Sequence, residues 1–153
     1  MSPWGTGREK VEELVEAGRI ARLHGADAGR DGLMHRARQQ LSSAGALVES
    51  DPATAYVIAY DAAKHAAMAL LSEQNLRPTA EGGHLAMEVV LTAQFGGVFA
   101  GFGRLRRRRN ELDYPSGDED FADSAEARRA ITAATEIVEH SERILEQGIL
   151  TVF

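Results

Sequence analysis

The alanine-rich segment over residues 52–75 constrains the fold of this chain more than any other part. It opens with Asp51 followed by Pro52, an N-cap residue with proline at the first helical position. Because Pro78 forbids continuation, we predict a helix over about 52–75. The segment is apolar nearly all round, and its small residues allow neighbouring helices to approach closely. We therefore expect it to be the central helix of a bundle or half of a subunit interface.

Apolar residues recur at helical spacing through most of the remaining chain. This spacing predicts helices over about 9–23 and 32–49, followed by a helical stretch from 83 through residue 109 that glycines interrupt. It also predicts a last helix, which Asp123 and Glu126 cap at its start and Gly148 ends. Residues 115–122 form a predicted loop, and no strand pattern competes. We predict an all-α fold, a four-helix up-and-down bundle over 31–150 preceded by an N-terminal amphipathic helix and linker over 1–30.

Composition narrows the class of protein. A chain of 153 residues with 44% hydrophobic and 26% charged residues is about one ordinary globular domain. The absence of cysteine excludes disulfides, thiolate zinc sites and cysteine nucleophiles. No export signal is recognised, and no stretch approaches the roughly 20 apolar residues of a membrane helix. We expect a soluble, cytoplasmic protein that does not contact membranes.

Charge is distributed unevenly along the chain. There are 17 basic and 23 acidic residues, and the net charge of −6 argues against nucleic-acid binding through a uniformly basic surface. The exception is one dense run, made of Arg104, Arg106, Arg107, Arg108 and Arg109. Because guanidinium groups bind phosphate bidentately, the run is a candidate anion or RNA contact. The alternative is a solvated surface held by arginine–carboxylate pairs.

The residues after this run extend the candidate site. If they are helical, Asn110 and Tyr114 share a face, Arg109 and Asp113 share another, and Arg106 lies one turn before Asn110. Arginine, amide and phenol groups would then converge. This spacing is compatible with a phosphate-contacting site.

The histidines do not form a metal site. No HExxH motif occurs, no Glu-x-x-His pair lies on a predicted helix, and no phosphate-binding glycine loop is present. His65 in the alanine-rich helix is more simply explained as a satisfied, partly buried side chain than as a catalytic one. His84 follows Gly82 and Gly83 at a predicted helix start. We therefore expect neither a metal nor a cofactor.

Four segments in a fixed order resemble the HEPN superfamily over roughly residues 33–146. These are the alanine-rich AYVIAYDAAKHAAMALLSEQNLRP, GGHLAM with its histidine at a helix start, RRRRNELDYP, and SAEARRAITAATEIVEHSERIL. The resemblance implies a HEPN-type helical bundle of the kind found in prokaryotic toxin–antitoxin and defence systems.

The resemblance also implies a site. In active members an arginine, a polar residue and a histidine form a metal-independent ribonuclease site, typically across a homodimer cleft. Arg109 matches the arginine and Asn110 the polar residue, but Tyr114 stands where the histidine should be. A phenol with a pKa near about 10 is a poor base at neutral pH. Asp113 and His84 are the alternative candidates for the base, and a third accessory candidate is His65.

These observations favour an RNA- or nucleotide-binding component of a toxin–antitoxin or defence system, with ribonuclease activity weak or lost. The resemblance further implies a homodimer and a cognate nucleotidyltransferase partner, which would modify Tyr114. The alternative is a non-catalytic partner-binding bundle, in which the alanine-rich helix pairs with another protein. Whether the chain is an enzyme is left open by its sequence.

Overall fold

The computed structural model describes residues 5–23 and 29–153, and these residues form a helical bundle with one short strand pair. The elements follow in the order α1 Arg8–Glu16, β1 Ile20–Arg22, α2 Arg30–Leu47, α3 Pro52–Glu73, β2 Leu76–Pro78, α4 Gly83–Phe95, a 3-10 turn Gly96–Phe99, α5 Ala100–Asp113, a second 3-10 turn Asp118–Asp120, and α6 Ser124–Gln147. The predicted all-α class is confirmed.

Helix α3 lies at the centre of the bundle, where α2 and α6 both pack against it. Ala59, Ala63 and Ala67 are fully buried, since small side chains let the neighbouring backbones approach. At the start of α3 the Asp51 carboxylate accepts the Thr54 N–H at 3.2 Å. The predicted central position is confirmed, and this chain's own helices cover the alanine-rich face that would otherwise pair with another protein.

The boundaries of the last helix also follow the sequence prediction. The Asp123 carboxylate accepts the Glu126 N–H at 2.8 Å, which satisfies one of the free donors of the first turn. Gly148 ends α6 in the left-handed conformation, with φ of 64°. Helix α6 therefore begins and ends where its capping residues require.

The prediction that the chain has no strand was wrong. Strands β1 and β2 pair antiparallel, with Ile20 opposite Pro78. The first helix was predicted to reach residue 23, but α1 ends at Glu16 and Gly18 turns the chain at φ of 76°. Strands of three residues are too short to show an alternating pattern. Residues 24–28, in the predicted break after this helix, lie outside the described residues.

The first helix packs against α4. Its N-cap is Gly7, with φ of 77°, and a Cβ at this position would lie 2.6 Å from the carbonyl carbon of Ala93. Val11 of α1 is fully buried in the main core. Helix α1 is thus packed onto the bundle, while the division into parts 1–30 and 31–150 stays a prediction.

By length and composition, Gly83–Asp113 would suffice to cross a membrane, which the sequence analysis did not anticipate. Within it, Met87, Leu91 and Phe102 are fully buried inside the chain. The segment is not one continuous helix, because the 3-10 turn Gly96–Phe99 interrupts it and Gly96 has φ of 72°. The glycines of this stretch predicted such an interruption. One helix of this length and composition is weak evidence for a membrane span.

Candidate phosphate-binding site

The arginine run lies entirely on α5, and helical geometry distributes it around that helix. Arg104 and Arg108 line a groove between α5 and α6. Arg106 and Arg107 reach Glu88 on α4, whereas Arg109 lies over Tyr60 on α3. The run is therefore not a single basic surface, and its members have different neighbours.

Arg108 is held by acidic residues of its own chain. Its Nε and Nη2 donate to the Glu126 carboxylate at 2.5 and 3.3 Å, and its Nη1 donates to Glu111 at 3.0 Å. These bonds raise the pKa of Arg108 further above its usual value. Since both edges of its guanidinium are occupied, Arg108 has a structural role in joining α5 to α6. Arg104 is exposed in the same groove.

Glu88 on α4 forms ion pairs with Arg106 and Arg107, two arginines in the middle of the run. Its carboxylate accepts from Arg106 Nε at 3.0 Å and lies 3.7 Å from Arg107 Nη1. A Cβ on Gly103 would clash with this carboxylate, so the glycine lets Glu88 lie against α5. Arg106, Arg107 and Arg108 thus form the arginine–carboxylate pairs that were the alternative to an anion site.

Arg109 has the most specific environment of the five. Its Cζ lies 5.5 Å from the centroid of the Tyr60 ring, a cation–π geometry, and its Nη1 donates to Asp113 at 2.9 Å. The predicted common face of Arg109 and Asp113 is thus observed. Its Nε–H is buried and has no acceptor among residues 5–23 and 29–153. A buried donor without an acceptor is costly, so Arg109 retains capacity to bind an anion.

His84 reaches the same tyrosine from the start of α4. Its Nδ1 lies 3.2 Å from the Tyr60 hydroxyl oxygen. Burial, with the positive charges of Lys64, Arg109 and Arg106, lowers the pKa of His84 below its usual value. These surroundings favour the neutral form of the ring. In the tautomer whose Nδ1–H donates to Tyr60, Nε2 is free to accept a proton.

Tyr60 joins these two groups. It is 1% exposed and packs on Phe102 with ring centroids 5.6 Å apart. Burial raises the pKa of Tyr60 to about 12, so the phenol stays protonated at neutral pH. No sequence pattern singled out Tyr60 for this role, although Lys64 one turn later was a signal of a polar side to α3. We call Tyr60, Lys64, His84, Arg106 and Arg109 the Tyr60 cluster.

The predicted convergence of Arg109, Asn110 and Tyr114 is not observed. Asn110 is exposed, and Tyr114 is the residue that ends α5, with its side chain 83% exposed. In the part of the chain that the structure describes, no hydrogen bond or ring contact involves the Tyr114 side chain, whose backbone N–H donates to the Asn110 carbonyl oxygen at 3.2 Å. Tyr114 is the C-cap of α5, where a φ of −130° departs from helical geometry.

His65 belongs to a different part of the protein. Its Nδ1 lies 2.7 Å from the Gln40 side-chain oxygen on α2, and burial lowers its pKa. The structure does not bring it to the arginine run. Over residues 5–23 and 29–153, no group of three or more histidine, aspartate and glutamate side chains is arranged to hold a metal ion.

Comparison with known proteins gives one match. The family model described as the HEPN domain matches residues 31–144, from the start of α2 to near the end of α6. No curated protein and no solved structure matches the chain. The matched region contains every member of the Tyr60 cluster.

Proposed function

The chain belongs to the HEPN domain family, and from this premise we propose that it binds RNA or a nucleotide by placing a phosphate at the Tyr60 cluster. The observation that carries the proposal is the position of Arg109. Its guanidinium is held over Tyr60, and its buried Nε–H has no acceptor in the described chain. A phosphate that replaces the Asp113 carboxylate at Nη1 would bind the accessible side of the same guanidinium.

A phosphate has to compete with the acidic residues already present. Asp61 pairs with Lys64, Glu88 with Arg106, and Asp113 with Arg109. The Asp113 pair joins residues four apart on one helix, and the carboxylate is 39% exposed. Such exposed pairs contribute only about 0.3–0.5 kcal/mol. A bidentate phosphate contact is stronger, so it can displace Asp113 from Arg109.

Cleavage of bound RNA is weak or lost in this proposal. The position that carries a histidine in active HEPN proteins is Tyr114, an exposed phenol outside the cluster. A phenol is a poorer general base than an imidazole at neutral pH. Arg109 keeps its capacity to bind the phosphate, since that interaction does not require a base.

A metal-independent ribonuclease is the second candidate, because His84 and Arg109 face the same Tyr60 ring. In this reaction the RNA 2′-oxygen bonds to phosphorus, and the bond to the 5′-oxygen breaks. His84 Nε2 takes the 2′-hydroxyl proton, and the leaving 5′-oxygen takes a proton from water. Arg109 stabilises the developing charge on the phosphate. His84→Ala would abolish this activity, whereas phosphate binding would persist.

We further propose that the protein is a cytoplasmic homodimer within a toxin–antitoxin or defence system. Leu85 is 52% exposed beside His84, and Tyr114 is exposed at the end of the helix that carries Arg109. These apolar side chains on α4 and α5 favour an interface near the Tyr60 cluster. The exposed Tyr114 phenol is also accessible to a nucleotidyltransferase partner. Mass spectrometry of protein co-expressed with that partner tests for the modification, with Tyr114→Phe as control.

Binding of labelled single-stranded RNA over a range of salt concentrations tests the proposed function. Each phosphate contact contributes about 0.7 to the slope of log K against log salt for a single strand. We expect Arg109→Ala to lose about tenfold in affinity and to lower this slope. Arg38→Ala is the control, because Arg38 is also an ion-paired helical arginine but pairs with Glu142 away from α5. Equal affinities for wild type and Arg109→Ala would refute the proposal.

A further inference from the structure

A cavity of about 470 Å³ is lined by residues of α2, the second half of α3 and the β1–β2 region. Its apolar walls are Leu23, Leu33, Met68, Leu76 and Pro78. No member of the Tyr60 cluster lines it. Its volume lies within the range of small-molecule sites, about 300–1,000 Å³.

A few polar groups accompany these apolar walls. Ser72 is 6% exposed, and its hydroxyl is buried without a hydrogen-bond partner among the described residues. His65 also lines the cavity, and its Nδ1 is engaged by the Gln40 side-chain oxygen. That bond makes Nδ1 the donor and leaves Nε2 as an acceptor in the neutral ring. The inner part of the cavity thus offers one hydroxyl and one acceptor nitrogen.

Positive charge lies at the outer part. Arg36 of α2 and Arg77 of β2 both line the cavity and are exposed. Within residues 5–23 and 29–153, no carboxylate forms an ion pair with either of them. Arg36 is close enough to His65 to help lower its pKa. A ligand with an apolar body and an acidic group would therefore meet complementary surroundings at both of its ends.

We propose that this cavity binds a small heteroaromatic anion, with its ring between Met68 and Leu76 and its acidic group at Arg36 and Arg77. An aliphatic chain would fill the apolar walls but leave the Ser72 hydroxyl and His65 Nε2 unused. A ring with a polar edge provides hydrogen-bonding groups for both. A nucleoside monophosphate and an aromatic carboxylate share this chemistry.

Calorimetric titration of the full chain with four probes tests the site. AMP and indole-3-acetate carry both a ring and an acidic group, adenosine carries the ring alone, and decanoate carries the acid on an aliphatic chain. We expect AMP or indole-3-acetate to bind at least about tenfold more tightly than adenosine and decanoate. The tighter of the two identifies the source as a nucleotide or an aromatic carboxylate. Binding by neither, or tightest binding by decanoate, would overturn the proposal.

Two glycines of α2 provide a matched pair of variants. A Cβ at Gly32, in the cavity wall, or at Gly45, elsewhere on the same helix, would meet no atom within 4 Å. Both substitutions replace a helical glycine, so both are compatible with folding. Gly32→Phe should reduce binding at least about tenfold by filling the cavity, while Gly45→Phe leaves it unchanged. Binding that survives Gly32→Phe would contradict this location.

The Ser72→Ala variant separates a ligand contact from a structural role. It removes a hydroxyl that makes no hydrogen bond in the described structure, so the thermal midpoint should stay equal or rise. The affinity for the tighter probe should fall several-fold. AMP bound at the Tyr60 cluster would instead lose affinity with Arg109→Ala and keep it with Ser72→Ala, so the two variants together distinguish the cavity from the cluster. A lowered midpoint with unchanged affinity would assign Ser72 to the fold alone.

Discussion

Arg109 lies over the ring of Tyr60, with its Cζ 5.5 Å from the ring centroid. The two residues belong to α5 and α3, and the same tyrosine meets His84 of α4 through its hydroxyl. One buried phenol therefore positions a cation and an imidazole from two other helices. This arrangement distinguishes Arg109 from the other arginines of the run, whose described contacts are with carboxylates or with the α5–α6 groove.

Two substitutions of Tyr60 separate its ring from its hydroxyl. Tyr60→Phe keeps the surface under Arg109, so RNA affinity should stay within about twofold of wild type. Tyr60→Leu removes the cation–π contact, worth about 0.5–1 kcal/mol, and should weaken binding several-fold. Fluorescence anisotropy with labelled RNA measures both. Equal losses in the two variants would show that the ring does not position Arg109.

Arg108 should contribute to stability. Because Arg108 joins Glu126 and Glu111 in a partly buried setting, Arg108→Ala should lower the free energy of unfolding by about 1–2 kcal/mol. Arg107→Ala is the control, since Arg107 is 56% exposed and 3.7 Å from Glu88, and should cost less than about 0.5 kcal/mol. Urea unfolding gives both values, and similar losses in the two variants would refute this difference.

Stability should fall as the solution becomes mildly acidic. Burial lowers the pKa of His65, His84 and His140 in the folded protein. The unfolded chain therefore takes up protons first, near pH 6.5, and stability present above that pH is lost as the pH falls through the folded-state pKa values. Thermal unfolding between pH 7.5 and 5.5 measures the decline. His84→Gln should reduce its steepness, and a midpoint independent of pH would contradict the prediction.

The helices and their caps were accessible from the sequence because their causes are local. Asp51 and Pro52 fix the start of α3, and Asp123 fixes that of α6, through contacts within one turn. The pairing of Arg109 with Asp113 followed from helical spacing for the same reason. Each of these predictions needed only neighbouring residues.

The rest of the site depends on contacts between distant parts of the chain. Tyr60 and Glu88 acquire their roles only when α3, α4 and α5 pack together, and no local spacing encodes that packing. The strand pair escaped detection similarly, since Ile20 finds its partner at Pro78. The place of the Tyr114 side chain depends on how α5 ends after Asp113, which helical spacing does not encode.

The proposed dimer can be tested at an exposed residue of α4. Leu85 is a large apolar side chain on the surface beside His84. Leu85→Glu would bury a charge in an interface, so it should shift the mass from dimer to monomer. Light scattering at micromolar concentration reports the mass, and Val152→Glu, at an exposed apolar position near the C-terminus, is the control. A monomeric wild type would contradict the dimer itself.

The most direct test compares two arginines that are neighbours in sequence. RNA affinity is measured side by side for wild type, Arg109→Ala and Arg108→Ala under the same salt conditions. Because the described contacts leave Arg109 an unused donor and engage both edges of Arg108, Arg109→Ala should lose about tenfold and Arg108→Ala less than about twofold. Equal losses in both would show that the run binds RNA only as undifferentiated positive charge, and would contradict a phosphate site built on Tyr60.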